Sequence, residues 1–547
     1  MSITKNQNSI SPLNPGQCVQ IEYPEEGLAV LTLNPPHRKL TVLDQPLLED
    51  LKQAIQEIES KNAIEGVIVK GKTAKIFAAG ADIEGILNIT KKSDAYKIVN
   101  DVHQIFNRIA NLKATTVAAV GGPVPGGAYE LALACDYIVA LNDRSTKIGL
   151  PETKLGIIPG WGGSHRLPKR IGLLNSIDAI LNGSLYDAKR ALKKGMIDRI
   201  AYKENLLSVA ANIAMNREIV KKKKSIAKQL IIERNPIAKA LIGHQTRKVI
   251  EKKTRGNYPA QKHALSLILK SNTADQSSMI KREAKSIAEL ATGEVSKALI
   301  NIFFESNNAK KSFSKNDLEL HTIGTIGAGV MGGSIASLCA EKGINSRLID
   351  LSQKALDEAT FQHQTFLKKK KRKRKENSCI KNNAIDNLTT SKKIHGINRC
   401  QIMIEAVAEE ISIKKKVLKE VIEKTDASCI IATNTSSLSI KELAEDLDHP
   451  ERIVGMHFFN PVRKMPLVEI IKGESSSELA INNVAQLAIK LFGPDLNILA
   501  EKGKAIETLV RKIEGAQSVE MEQIAGEAQL VIKPDRDQLA RYGIPVG

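Results

Sequence analysis

A glycine turn between two short apolar runs carries the clearest chemical signal in these 547 residues. Thr322–Ile326 reads as a strand and leads into Gly327-Ala328-Gly329-Val330-Met331-Gly332, with a helix expected over Ser334–Lys342. Gly343 ends that helix, Asn345–Ile349 reads as the next strand, and Asp350 stands at its end, 23 residues after Gly327. The arrangement suits a dinucleotide. Gly327 permits the tight turn, Gly329 lets backbone approach a pyrophosphate, and Gly332 lets the helix pack on the strand. The helix N-terminus then offers free N–H groups to the phosphates. A carboxylate at Asp350 accepts from ribose hydroxyls and repels a 2′-phosphate, so NAD is expected over NADP. Gly327, Gly329, Met331, Gly332 and Asp350 are the cofactor-binding candidates.

A second constellation is a pair of carboxylates. Glu130 lies on the helix expected to open at Ala128, just after Gly126-Gly127, and Glu152 follows Gly149-Leu150-Pro151. Two carboxylates beside glycine-rich turns suit acid–base chemistry next to an oxyanion site. Spacing alone does not separate them from surface glutamates.

The elements that must position these groups alternate strand and helix. Ala29–Leu33 reads as a strand, Leu47–Ser60 as a helix and Gly66–Val69 as a buried strand. A helix follows over Asp94–Asn111, then a strand over Thr116–Val120 and the turn Gly121–Gly127. That order indicates an α/β module. Residues from about 200 to 315 are helix-like and rich in Lys and Glu, and read as a connector. At His321 the pattern returns to strand, turn and helix.

Composition narrows the class. The charge of +20 is compatible with nucleic acid, a membrane surface or an anionic substrate. The runs Lys221–Lys224 and Lys368–Lys375 read first as solvated helix faces or loops. Aromatic residues are 3%, too few for a base-stacking surface, so no nucleic-acid partner is expected. Six cysteines without CxxC spacing argue against a metal site or a disulfide framework and fit a reducing cytoplasm. No apolar run is long enough for a membrane span, and Met1–Gln20 lacks a secretory core.

Residues 16–200 resemble the crotonase (enoyl-CoA hydratase/isomerase) superfamily, through Phe77–Ile83 (FAAGADI), Gly126–Asp136 (GGAYELALACD) and Leu150–Gly172. The resemblance implies that the N–H groups of Ala81 and Gly127 bind a thioester oxygen as it gains enolate charge. Glu130 and Glu152 then hold a water between them. Glu130 helps activate it for attack on C3, and Glu152 delivers a proton to C2. With a 3-enoyl substrate, Glu152 shuttles a proton between C2 and C4 instead. Gly121-Gly122 departs from the usual asparagine–glycine, and the bulky Tyr129 leaves the acyl pocket's shape open.

His321 to Gly473 resembles the 3-hydroxyacyl-CoA dehydrogenase family. Glu405-Ala406-Val407-Ala408-Glu409 looks like its strand-end motif against the nicotinamide ribose, and Thr433–Ser437 like its serine motif. Gly455–Pro461 matches its histidine motif, and Pro466–Glu469 carries the acidic partner. By that resemblance His457 removes the hydroxyl proton while hydride passes to NAD, Glu469 orients the imidazole, and Ser436 bonds the substrate oxygen. Lys414 and Asn460 support the cofactor beside Val407, Ala408 and Glu409. By itself, His457 among apolar residues reads as a core histidine.

The order of the modules, with Gly256–Ala260 and Ile302–Phe304 in the connector, resembles the bacterial β-oxidation multifunctional α-subunit family. After Gly473 the D-x-P-G-F-x-x-N-R segment of the dehydrogenases is missing. The last 60 or so residues instead resemble a fragment of the porter domain of heavy-metal efflux pumps, chiefly in LFGPDL and DRDQLARYG. A fusion-like junction is expected near Val484–Leu491, with a helix over Leu496–Lys512 and strands over Val519–Gln523 and Ala528–Lys533.

The expected architecture is therefore α/β. It has a polar tail (1–15), a crotonase-type β/α superhelical module (16–200), a helical connector (201–315), a Rossmann-type NAD-binding domain (316–484) and a short α+β tail (485–547). The expected function is hydration of 2-trans-enoyl-CoA, with isomerisation as an extension. The attached dehydrogenase domain would lack its substrate-completing partner, and the docking domains for a thiolase subunit would be absent. The alternative is a fusion product that binds CoA or NAD and turns nothing over.

Overall fold

Leu28–Leu33 is buried at every position, as a strand covered on both faces must be. Around it the computed structural model describes residues 18–220, 235–313, 319–373 and 384–492, with the backbone of Asn497–Leu499, Ser518–Ile524 and Glu527–Lys533. The chain divides into two compact units, Met1–Phe303 and Phe304–Gly547.

The strands of the first unit are β1 (Val19–Glu25), β2 (Leu28–Leu33), β3 (Gly66–Gly71), β4 (Thr115–Val120), β5 (Pro123–Pro125), β6 (Tyr137–Leu141), β7 (Lys147–Gly149), β8 (Tyr186–Asp187) and β9 (Arg199–Ala201). Six form one sheet in the order β1-β2-β3-β4-β6-β9. It is parallel except at β1/β2. A small sheet, β5-β7-β8, stands apart from it. The first helix starts at Gln45, ahead of the expected Leu47, because Asp44 caps it through the Leu47 N–H. Its stripe of Leu47, Leu51, Ala54, Ile55 and Ile58 faces the core.

The segment expected to be a connector contributes to that core. Ala260, Ala264, Leu267 and Ile268 come from the helix Pro259–Lys270, and Met279, Ala284, Ile287 and Ala291 from the helix Gln276–Ala291. They join one buried cluster with Leu51, Phe106 and Leu131. Each fully buried aliphatic side chain contributes roughly 1.5–3 kcal/mol, so these helices are bound to the fold rather than strung from it.

The second unit holds β10 (Thr322–Ile326), β11 (Asn345–Ile349), β12 (Leu388–Ser391), β13 (Ile402–Glu405), β14 (Ile430–Thr433), β15 (Ile453–Phe458), β16 (Leu467–Ile471) and β17 (Asn497–Leu499). They form one sheet, ordered β12-β11-β10-β13-β14-β15-β16-β17. The chain runs outward from β10 to β12 and returns to β13 beside β10, which sets a topological switch point there. β16 is antiparallel to β15, and β17 is parallel to β16.

Three expectations shift. The helix after the glycine turn spans Val330–Glu341, since Gly329 caps it directly and Val330 and Met331 enter its first turn. The helix Glu478–Phe492 runs unbroken through residue 485 and buries Val484, Leu487, Ala488 and Leu491 in the second unit's core. The helix expected from Leu496 is instead a strand over Asn497–Leu499, which occupies the edge left by β16. The rest of that helix lies outside the described residues. Ser518–Ile524 and Glu527–Lys533 pair as an antiparallel ribbon, β18 and β19. The basic run from Lys368 continues the helix Gln353–Lys373, and Lys221–Lys224 lies outside the described residues.

Candidate active sites

The helix Gly127–Ala134 starts from Gly126, whose φ of +58° a side chain would strain. Its first turn presents Glu130, 2% exposed, to an apolar cleft. The cleft is lined mainly by Ile83, Ile86, Val99, Leu155, Ile158 and Trp161. Glu152 enters from the turn after β7 and is 8% exposed. Both carboxylates need bare backbone beside them. A Cβ on Gly126 would stand 3.1 Å from Glu152 Oε1, and one on Gly163 would stand 2.8 Å from Glu130 Oε1.

The two glutamates differ in their partners. Glu130 Oε1 accepts from the N–H groups of Trp161 at 2.8 Å and Gly163 at 2.7 Å. Neither carboxylate oxygen of Glu152 has a hydrogen-bond partner in another residue among those described. Burial, then the charge of Glu283, pushes the Glu130 carboxyl up to about 8 against those two N–H donors. Burial and the Glu130 charge push Glu152 well above the ordinary carboxylate range. One carboxylate is therefore oriented and the other is free to exchange a proton.

Ala81 and Gly127 meet at the mouth of the same cleft. A Cβ on Gly127 would stand 3.4 Å from the Ala81 nitrogen and 2.3 Å from the Trp161 ring. Gly127 opens its helix, where the first N–H groups have no carbonyl behind them in the helix. Tyr129 leaves the acyl space alone: it is fully buried, and its hydroxyl donates to the Met196 carbonyl at 2.8 Å. The Gly121-Gly122 departure is also accounted for. Cβ atoms there would lie 1.8 Å from the Ala74 carbonyl oxygen and 2.0 Å from that of Lys75.

In the second unit each turn glycine has its own geometry. Gly327 has φ +99°, and a Cβ there would lie 2.4 Å from the Ala406 carbonyl oxygen. A Cβ on Gly332 would lie 1.9 Å from the carbonyl oxygen of Gly327, so helix and strand touch through it. Beside Gly329 a Cβ would meet nothing within 4 Å, which leaves the space a pyrophosphate needs. Asp350 Oδ2 accepts from the Ala328 N–H at 2.7 Å, and Oδ1 from the Ser352 N–H at 2.8 Å, so the carboxylate is fixed at the turn. Met331 packs half-buried against the core. These residues fit a dinucleotide.

His457 and Glu469 are brought together, with Nδ1 and Oε2 2.8 Å apart. Asn460 is exposed after β15, ahead of a cis bond to Pro461. Glu409 gathers the serine motif: its Oε1 accepts from Thr435 Oγ1 at 2.6 Å, the Ser436 N–H at 2.7 Å and Ser436 Oγ at 3.1 Å. Burial opposes that charge, but these donors and Lys414 hold the carboxyl down at about 2. Val407 and Ala408 lie between it and β13, with the Val407 N–H donating to Glu405 at 2.7 Å.

Lys414 differs from the expectation of a cofactor contact. It is fully buried, and its Nζ reaches Glu405 at 2.9 and 3.0 Å, Glu409 at 3.3 Å and the Asn434 carbonyl at 3.4 Å. It touches the serine motif through Glu409. The sequence gives Glu405 and Asn434 only as members of the strand-end and serine motifs, and assigns no role to Trp161 or Glu283. Asn434 accepts from the Phe458 N–H at 2.9 Å and so ties the serine motif to the histidine strand. Its place inside TNTSS was the available signal.

The two units separate again when the chain is compared with known proteins. Residues 24–263 match the family described as enoyl-CoA hydratase/isomerase. Residues 322–493 match the NAD-binding domain of 3-hydroxyacyl-CoA dehydrogenase. A fatty acid oxidation complex subunit alpha from Aliivibrio fischeri is 37% identical over 469 residues, covering 85% of this chain and 68% of its own length. The corresponding protein of Shewanella loihica is 32% identical over 528 residues, covering 96% of this chain and 74% of its own. With hydratase/isomerase and NAD-binding dehydrogenase regions in that order, the chain belongs to the family of fatty acid oxidation complex alpha subunits.

Proposed function

We propose that the first unit adds water across 2-trans-enoyl-CoA, with Glu130 and Glu152 as its acid–base pair. The observation that carries this reading is two buried carboxylates facing one apolar cleft beside the Ala81 and Gly127 N–H groups. Those N–H groups take the thioester oxygen as negative charge develops on it. Glu130, held by two backbone donors, orients the water that attacks C3 and takes the proton that this water loses. Glu152 gives its proton to C2. Because neither Glu152 oxygen is tied to another described residue, the same carboxyl serves to move a proton between C2 and C4 of a 3-enoyl substrate.

In the second unit His457 takes the proton of the 3-hydroxyl group. Glu469 holds Nδ1, which leaves Nε2 for the substrate. When bound, NAD supplies the hydride acceptor. The product is a 3-oxoacyl thioester, so a thiolase that cleaves it is the partner class this reading implies. The free, buried thiols of Cys18, Cys135, Cys339, Cys400 and Cys429 suit the cytoplasm. Among the described residues no helix is long and apolar enough to cross a membrane.

Loss of enoyl-thioester absorbance measures the first reaction. Glu130→Gln and Glu152→Gln should each slow it by about 10²–10⁴-fold. A parent rate in Glu130→Gln would remove the hydratase assignment, and CoA binding without turnover in the parent would make the first unit a binding module.

A further inference from the structure

The turn Gly160–Ser164 is gripped by two carboxylates at once. The N–H groups of Trp161 and Gly163 go to Glu130, and the one between them, on Gly162, donates to Glu283 Oε2 at 3.0 Å. Glu283 lies 121 residues further along, on the helix Gln276–Ala291. Its Oε1 meets the Ser164 hydroxyl and, at 3.3 Å, His165 Nδ1. His103 Nε2, from the helix Lys92–Ala110, stands 3.0 Å from Oε2, an ion-pair contact without hydrogen-bond alignment.

Glu283 is fully buried and does not line the cleft. Burial pushes its carboxyl up, but the contacts and charge of His103 and His165 outweigh burial and hold it below the ordinary range. It therefore stays ionised. Hydration uses two carboxylates, and an apolar side chain would fill this position without the cost of burying a charge. What the third carboxylate does is fix the turn that aims Glu130.

We infer that Glu283 is a positioning residue for hydration, which sets the Trp161–Ser164 turn through Gly162, Ser164 and His165 so that Trp161 and Gly163 present their N–H groups to Glu130. The inference rests on Glu130 serving the reaction as proposed above. Its charge also bears on Glu130 directly. The groups facing Glu130 are Glu152, Glu283 and Arg166, and those facing Glu283 are His103, His165, Arg166, Glu130 and Glu152. Arg166 clamps the same turn from its other side, donating to the Trp161 carbonyl at 2.9 Å and to Asn107 at 2.7 Å.

The test measures hydration by the full chain against pH in the parent, Glu283→Gln, Ser164→Ala and Glu130→Gln, with folding checked by circular dichroism. Glu283→Gln keeps the size and an acceptor and loses the charge. Its kcat should fall roughly 10- to 10²-fold, as expected for a catalytic group displaced by about an ångström, while KM holds within about two-fold. The acid limb of kcat/KM should move to lower pH, because a negative charge facing Glu130 is gone. Ser164→Ala keeps the charge and frees one anchor, so its kcat should fall without movement of that limb. A folded Glu283→Gln with the parent's kcat and pH profile overturns the inference. If that variant does not fold, an unchanged kcat in Ser164→Ala overturns it instead. Should Glu130→Gln retain the parent rate, the hydratase assignment falls first. An inactive Glu130→Gln beside a parent-like Glu283→Gln removes the positioning role alone.

Discussion

His457 and Glu469 stand directly opposite each other in the antiparallel pair β15/β16. Twelve residues separate them in the chain, and the register places their side chains on one face, with Nδ1 and Oε2 2.8 Å apart. A one-residue slip of β16 would turn Glu469 to the other face of the sheet. The proposed base and the carboxylate proposed to orient it are thus set by sheet register.

Glu469→Gln keeps an acceptor for Nδ1–H and removes the charge that stabilises the imidazolium. NADH formation from 3-hydroxyacyl-CoA should fall about 10²-fold, with NAD binding unchanged by calorimetry. An equal loss of NAD affinity would show that Glu469 shapes the cofactor site and not the base.

The glycine turn separates packing from ligand binding. Gly332→Ala drives a methyl group into the Gly327 carbonyl and should destabilise the second unit by about 1–3 kcal/mol. Gly329→Ala enters open space, so stability should stay within about 0.5 kcal/mol while NAD affinity drops at least tenfold. Thermal melts and NAD titrations of the two variants check this; a destabilised Gly329→Ala contradicts it.

Local features were legible. The tight turn at Gly327 and the alternation of strand and helix each depend on neighbours in the chain, whereas the Asp44 cap that moves the first helix forward to Gln45 was not read. Glu283 was not legible, because its partners Gly162, Ser164, His165 and His103 are more than a hundred residues away and the helix around it reads as an ordinary Lys/Glu-rich face. The burial of Lys414 against Glu405 was hidden for a related reason. Within Lys414-Lys415-Lys416 nothing marks which lysine turns inward, and that depends on where Glu405 ends β13. The contribution of the later helices to the first core was hidden too, since Ala260, Ala264 and Ala284 are not strongly hydrophobic signals.

Lys414 and Glu405 form a fully desolvated pair, 0% and 1% exposed. Lys414→Met leaves Glu405 charged without its cation, bonded among the described residues by Thr433 and the Val407 N–H. It should cost the second unit about 3–5 kcal/mol. Adding Glu405→Gln removes the stranded charge and should recover part of that loss. Urea unfolding of the single and double variants measures the coupling, and additive losses would show that the ion pair is not what holds the site.

Glu130→Gln should stabilise the first unit while it slows turnover. The carboxyl moves from an ordinary value of 4.5 to about 8 on folding, chiefly through burial. Between those values the folded state holds a proton that the unfolded state has released. The stability owed to Glu130 is therefore complete below about pH 4.5 and is lost as pH rises toward 8. Glutamine has no such dependence. The variant should match the parent near pH 5 and exceed it near pH 8, by on the order of 2 kcal/mol. Denaturant unfolding at the two pH values decides the matter. A gap that stays constant between them would mean that Glu130 is ionised in the folded protein throughout, and that the two backbone N–H groups of the Trp161–Gly163 turn outweigh its burial.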